Sequence, residues 1–337
     1  MLNGDAMTGN LLAEYGDGKF LNLQKEPEEF IHKTQSELLV KHLEYIASCS
    51  PFYKELFKVY DIDHKIIKDV NDLRHMPVTN PFDLTSQNYN FIASPSSEIA
   101  DISLTSTTLG KTPAAIYQTH SDLARLAYNE KQAFEMAEIK PGETILLCVT
   151  LDKCFMAGLA YALGGISLKT RVVRGGASTP SQLWNLVEQT NPGVLIGDPL
   201  LMLEIAQYAL EAGKNPASSD VKKIIAIGEP VRDASMRPLV ITEHIEELWE
   251  AAVFSSFATT EIATSFCECA CRQGAHIRPE LAVLEILDED DEPVSDGERG
   301  EIVVTPLGIA GTPLLRYKTG DISFIIKEEC MCCRSTP

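Results

Sequence analysis

A chain of 337 residues with 45 % hydrophobic and 23 % charged residues has the balance of a globular protein with a sizeable core and more than one structural unit. Its 48 acidic against 29 basic side chains give a formal charge of −19, which argues against a polyanion-binding face and so against a nucleic-acid partner. No apolar run reaches the roughly 20 residues of a membrane-spanning helix, so no membrane association is expected. Residues 1–20 are polar and glycine-containing, unlike a secretory signal, and Met7 is an alternative start. Nine cysteines without such a signal point to the reducing cytoplasm, where clustered thiols more often mean metal or reactivity than disulfides.

In chain order, residues 26–60 are expected to be helical, with Leu38, Leu39, Leu43 and Ile46 at helical spacing and a break at Ser50-Pro51. Strands are expected at Ile102–Thr105, Ala114–Gln118, Thr144–Val149, Arg171–Val173, Val194–Gly197, Ile224–Ile227 and Ala252–Phe254. Helices are expected between them at Asp122–Ala137, Phe155–Leu163, Thr179–Gln189, Pro199–Glu211 and Ala234–Glu243. This alternation predicts an α/β fold with a mainly parallel sheet. After residue 280 short strands follow at Ala282–Leu287, Glu301–Val304 and Ile322–Ile326, which suggests a smaller β-rich subdomain. Asp288 to Asp296 reads as a solvated acidic turn.

Four segments carry chemistry. Thr105-Ser106-Thr107-Thr108-Leu109-Gly110-Lys111-Thr112 can surround polyphosphate with N–H groups, hydroxyls and a cation. It is no Walker A loop: Thr105 stands where the first glycine is required, and Pro113 and a strand follow where a helix should begin. Phe257-Ala258-Thr259-Thr260-Glu261 offers an aromatic for a base, hydroxyls for phosphate and a carboxylate for Mg²⁺. Its plain alternative is a helix N-terminus capped by Thr and Glu. Asp321 follows Gly320, past a bend where backbone can approach a ligand, and its carboxylate suits a vicinal diol. Gly228-Glu229-Pro230 ends a buried strand, the end at which open α/β sheets bind ligands, although an ordinary turn would look the same.

Together, and in their order along the chain, these segments resemble the AMP-forming acyl-CoA ligases of the adenylate-forming superfamily, most nearly the phenylacetate–CoA ligase branch. The loop is similar to the family's [ST]-S-G-[ST]-T-G-K-P at Ser106, Thr108, Gly110 and Lys111, and departs from it at Thr107, Leu109 and Thr112. Phe257, Thr260 and Glu261 match its [YF]-G-x-T-E, with Ala258 in place of glycine. SPFYKELF (50–57) and DVNDLRHMPVTNPFDL (69–84) resemble the branch's N-terminal signature. LDKCFMAGLAYALG (151–164) resembles a segment that lies near the acyl pocket in this family.

The resemblance implies the large domain of such a ligase: a helical segment at 1–100, an α/β nucleotide-binding core at 101–280 and a β-rich subdomain at 281–337. It implies ATP, coenzyme A and a small aromatic carboxylic acid as partners, AMP and an acyl-adenylate as species on the way, and a homodimer as one assembly. Lys111, Thr260 and Glu261 would be catalytic, with Glu261 holding Mg²⁺. Thr105, Ser106, Thr107, Thr108 and Gly110 would lie on the phosphates, Gly228, Glu229, Pro230, Phe257, Ala258 and Thr259 around the base and α-phosphate, and Asp321 on the ribose hydroxyls. The family's mobile C-terminal domain is expected to be absent from this chain, and thioester synthesis impaired accordingly. A relative that binds nucleotide or acyl acid without turnover is the alternative.

Cys267-Glu268-Cys269-Ala270-Cys271, His276 and Cys330-Met331-Cys332-Cys333 supply enough thiolate and imidazole for a tetrahedral Zn²⁺ site. Cys269 or Cys271, with His276, Cys330 and Cys332, are the expected ligands, in a structural role; spacing does not choose between the first two. Some phenylacetate–CoA ligase relatives carry a similar pairing, with a C-x-C-G-R turn in which Cys333 here replaces the glycine and Arg334 matches. Free thiols in a half-buried cluster are the alternative. Cys148 and Cys154 read as packing residues.

Overall fold

The computed structural model describes residues 20, 23–106 and 112–336, so Thr107, Thr108, Gly110 and Lys111 lie outside the described residues. The chain divides into two compact units, one of residues 1–125, 259–264 and 277–337, the other of residues 126–258 and 265–276. No described helix is long and apolar enough to cross a membrane.

The second unit is built on a seven-stranded sheet in the order β4-β3-β5-β6-β7-β8-β9. The strands are β3 (Thr144–Leu147), β4 (Arg171–Arg174), β5 (Val194–Gly197), β6 (Lys223–Ile227), β7 (Ala252–Thr259), β8 (Thr264–Glu268) and β9 (Ala275–His276). β4, β3, β5, β6 and β7 pair in parallel, and β8 with β9 antiparallel. All four residues of β3 and all four of β5 are buried, as expected of strands covered on both faces.

Side-chain alternation along these strands feeds two cores. Leu146, Leu195, Ile224, Ala226 and Val253 pack with Leu183 and Val187 of α7 (Pro180–Thr190), Met202 and Ile205 of α8 (Pro199–Glu211), and Ile245 and Trp249 of α9 (Val240–Trp249). Ile145, Leu147, Val194, Ile196, Ile225 and Phe254 pack instead with Phe134 of α5 (His120–Met136) and Tyr161 of α6 (Met156–Ser167). The helix starts follow local rules. Thr179 makes a capping box with Gln182 ahead of Pro180, and the Asp198 side chain accepts from the N–H groups of Leu200 and Leu201. The helix expected at Ala234–Glu243 is α9, displaced to Val240–Trp249. Residues 231–239 form a tight reversal instead: the Leu239 N–H bonds to the Val231 carbonyl, Arg232 bridges to Pro238, and Met236 sits at φ 59.

The first unit opens with α1 (Glu28–Cys49) and α2 (Pro51–Val59), then the short α3 (Pro81–Ser86) and α4 (Asn88–Phe91). Phe52 stacks on Phe91 at 3.9 Å between ring centroids, and Tyr53 meets both edge-on. The hairpin β1 (Ile99–Leu104) and β2 (Ala115–Thr119) follows, and later the antiparallel sheet β10 (Ala282–Leu287), β11 (Gly300–Pro306) and β12 (Tyr317–Ser323). The last strand was expected at Ile322–Ile326. It starts earlier, because a bulge carries the ladder through Thr319-Gly320-Asp321, which reads locally as a turn.

The buried segment from Leu307 to Leu315 is irregular, so side chains must satisfy its backbone. Asp122 accepts from the N–H groups of Ala310 (2.8 Å) and Gly311 (2.9 Å). Tyr45 donates to the Ala310 carbonyl at 2.8 Å, and the Tyr53 hydroxyl accepts from the Leu315 N–H at 2.8 Å. Thr79, within the signature-like 69–84 segment, donates to the Leu315 carbonyl at 2.7 Å and takes the Lys318 N–H on its own carbonyl at 2.8 Å. The N-terminal helices therefore serve to hold the segment that leads into β12.

His42 is part of this scaffold. Its Nε2 lies 3.0 Å from the Leu314 carbonyl, which can only accept, so Nε2 carries the proton. Burial pushes its pKa down from 6.5 to about 4, opposed by the Leu314 hydrogen bond and aided by the Arg125 charge. The unfolded chain therefore takes up this proton before the folded one does. The stabilisation is complete above pH 6.5 and falls away as pH drops toward 4. His42→Gln, which keeps an N–H donor, is expected to gain about 3 kcal/mol on the wild type between pH 7 and pH 4. Urea unfolding at the two pH values measures this, and a constant difference would refute it.

Candidate functional site

β7 runs into a turn at residues 260–263 and returns as β8, so Phe257–Glu261 is strand and turn, and the helix-capping alternative is ruled out. In the second unit, the Phe257 ring is half-buried and parallel to Phe266, with centroids 6.2 Å apart and 7° between planes. β6 ends at Ile227, and Gly228 at φ 80 turns Glu229 and Pro230 into solvent at the carboxyl end of a parallel strand.

In the first unit, Glu261 lies 3.5 Å by its Oε1 from the Tyr317 hydroxyl, which donates. Burial raises the Glu261 pKa above the usual carboxyl range. Hydrogen bonds, including those from Thr259 and Tyr317, oppose the shift, and the Asp321 charge adds to it. Asp321 is exposed, and its pKa is also raised, first by desolvation, then by the neighbouring Glu301 charge against a Thr319 hydrogen bond.

The turn bearing Glu261 is braced by Arg125, which is 2 % exposed. Its guanidinium donates to the carbonyls of Ala263 (2.8 Å), Leu281 (2.6 Å) and Leu307 (2.8 Å) and to the Thr264 hydroxyl (3.0 Å). Asp122 stands one turn earlier on α5 and holds the 310–311 backbone. Sequence reading gave neither residue a role. The available signal was an acid and an arginine three apart on the buried face of a helix that directly follows a strand.

Thr105 closes the base of the hydroxyl-rich loop. It is buried, its N–H bonds to the Ala114 carbonyl at 3.0 Å, and its hydroxyl accepts from the Ala114 N–H at 3.0 Å. Leu104 pairs with Ala115 across an antiparallel hairpin, so the loop joins strand to strand, as read from sequence. Ser106 and Thr112 flank the loop and are exposed.

The cysteine segments form two turns. β8 and β9 place Cys267 opposite His276, with Cys269 two residues along. Between the thiols, Glu268 makes a bidentate pair with Arg232 (2.6 and 3.1 Å) and accepts from the Ser255 N–H (2.8 Å) and the Gly274 N–H (3.4 Å), which fixes the loop. The Cys271 N–H points at the Cys269 sulfur, 3.4 Å away. In the second turn the Cys333 N–H bonds to the Cys330 carbonyl at 2.8 Å, and Cys333 adopts φ 60. That left-handed conformation is why glycine suits the position. Gln24 holds the segment that follows, accepting from the Arg334 Nε at 3.2 Å and the Ser335 N–H at 2.7 Å. Cys269 and His276 belong to the second unit, Cys330 and Cys332 to the first. Cys148 is buried, with its thiol pKa raised to about 12. Cys154 is exposed at φ 56 and is not a packing residue.

The AMP-binding enzyme family model matches residues 28–311. A phenylacetate-coenzyme A ligase of Thermus thermophilus is 28 % identical over 93 % of this chain and 70 % of its own length. A phenylacetate-coenzyme A ligase of Aromatoleum evansii is 24 % identical over 90 % of this chain and 68 % of its own. The crystal structure of a 2-hydroxyisobutyryl-CoA ligase in complex with 2-HIB-AMP and CoA shares the fold, with a TM-score of 0.86 at 22 % identity over 93 % of this chain and 67 % of that one. Matched from the first helix to the Asp122-bound segment before β12, the chain belongs to the AMP-binding enzymes.

Proposed function

We propose that this chain is an AMP-forming ligase that activates an aryl or arylacetic acid with ATP and passes the acyl group to coenzyme A. The alignment of phenylacetate-coenzyme A ligases over 90 % or more of the chain carries this reading. The acid's carboxylate oxygen attacks the α-phosphorus and pyrophosphate leaves; the coenzyme A thiolate then attacks the acyl carbon and AMP leaves. Lys111 and the loop residues Thr105, Ser106, Thr107, Thr108 and Gly110 draw charge off the phosphates. Phe257, with Ala258, Thr259, Gly228, Glu229 and Pro230, borders the adenine, Thr260 donates to the α-phosphate, and Asp321 accepts from the ribose hydroxyls.

Glu261 would hold Mg²⁺, which when bound neutralises phosphate charge. The fit is electrostatic: a desolvated carboxyl beside the Asp321 charge is relieved by a cation. Cys269, His276, Cys330 and Cys332 would hold Zn²⁺ structurally, because four protein ligands leave no open position for chemistry. A cytoplasmic location and a homodimer complete the reading.

Acid-dependent ATP–pyrophosphate exchange tests it, with phenylacetate, benzoate, indoleacetate and fatty acids as a panel. Exchange is expected with arylacetic or aryl acids. Exchange with fatty acids alone would overturn the substrate class, and exchange with none, in folded protein that binds ATP, would overturn the enzyme.

A further inference from the structure

We propose that Glu301 is a positioning residue for Asp321, acting through the bulge of β12, and so sets how strictly the site requires a ribose. The inference rests on the reading of Asp321 as the ribose ligand. The register carries it. Val303 pairs with Lys318 but Glu301 pairs with Ile322, so Thr319, Gly320 and Asp321 together face only Ile302. Such a bulge leaves backbone groups without ladder partners. Here two side chains supply them. The Thr319 hydroxyl donates to the Ile302 carbonyl at 3.0 Å and accepts from the Asp321 N–H at 3.2 Å. Glu301 Oε1 accepts from the Gly320 N–H at 3.0 Å, with Gly320 at φ 83, a conformation side chains resist.

A carboxylate this near Asp321 carries an electrostatic cost, and Lys318 offsets it. Its Nζ lies 3.1 Å from Glu301 Oε2 and 2.6 Å from Asp291 Oδ1. The acidic turn at 288–296 thus supplies the anchor for that lysine and is more than a solvated loop. Glu301 and Lys318 are only about a fifth exposed, and a screened surface pair would do little, so the partly buried chain Asp291–Lys318–Glu301–Gly320 can hold the bulge in one geometry.

Equilibrium binding of AMP and of 2′-deoxy-AMP to the full chain, by calorimetry, tests this. The wild type is expected to prefer AMP by about tenfold or more, the worth of one charge-assisted hydrogen bond. Asp321→Ala abolishes the preference. Glu301→Ala shrinks it toward unity, whereas Glu301→Gln, which keeps an acceptor for the Gly320 N–H, retains most of it. If Glu301→Ala does not fold, Thr319→Val serves instead and should also lose the preference. An intact preference in Glu301→Ala or in folded Thr319→Val, with Asp321→Ala losing it, would overturn the positioning role alone. An intact preference in Asp321→Ala, or no nucleotide binding by the wild type, would overturn the ribose reading and this inference together.

Discussion

Glu261→Gln is expected to lower acid-dependent ATP–pyrophosphate exchange by about 100-fold or more, while the melting temperature stays level or rises. The two halves of this result have one cause. In the free protein, burial and the Asp321 charge hold the Glu261 pKa above its ordinary value, so the folded state binds this proton more tightly than the unfolded chain does. A carboxyl shifted that way destabilises the fold at pH values above its unfolded pKa. Glutamine removes the charge and that penalty, and can still accept from the Tyr317 hydroxyl. It cannot supply the negative charge that a magnesium–phosphate group requires. Exchange measured beside thermal unfolding separates the cases. Undiminished exchange would remove Glu261 from the chemistry, and exchange lost in step with stability would make it a packing residue.

Legibility in the sequence followed how local each cause is. β5 and α8 match their expected limits, Val194–Gly197 and Pro199–Glu211, because Gly197, Asp198 and Pro199 punctuate the junction within three residues. α9 was displaced because the spacing from Ala234 onward is acceptable for a helix, while the long-range contacts of residues 231–239 are not visible locally. Pro238 was the available warning, since the residue before a proline avoids helical backbone. β12 was displaced for the opposite reason: Thr-Gly-Asp is strong turn chemistry, and only the pairing with β11 shows that the ladder resumes beyond it.

The candidate site divides the same way. Glu261, Phe257, Asp321 and the cysteines could be named from residue type and order, since their chemistry resides in their own side chains. Arg125 and Asp122 could not, because what matters is the distant backbone they hold, up to 189 positions away for Asp122 and 182 for Arg125. Glu301 belongs with them, since its role exists only once the register of β11 against β12 is known.

The second large effect concerns the thiols. Protein purified without chelator is expected to carry one Zn²⁺ per chain, and its removal should destabilise the fold by about 3 kcal/mol or more. Three thiols and an imidazole make a donor set that suits a tetrahedral soft-to-borderline cation. The choice between Cys269 and Cys271 can be argued from one hydrogen bond: the Cys271 N–H is directed at the Cys269 sulfur, the arrangement that stabilises a thiolate in a tight turn. Cys269→Ser should therefore lose the metal and most of the stabilisation, whereas Cys271→Ser should keep both. Metal analysis with thermal unfolding, before and after chelation, checks the pair. Metal-free protein whose melting temperature is indifferent to chelator would mean that these residues are packed free thiols. Loss of metal in Cys271→Ser but not in Cys269→Ser would reverse the assignment.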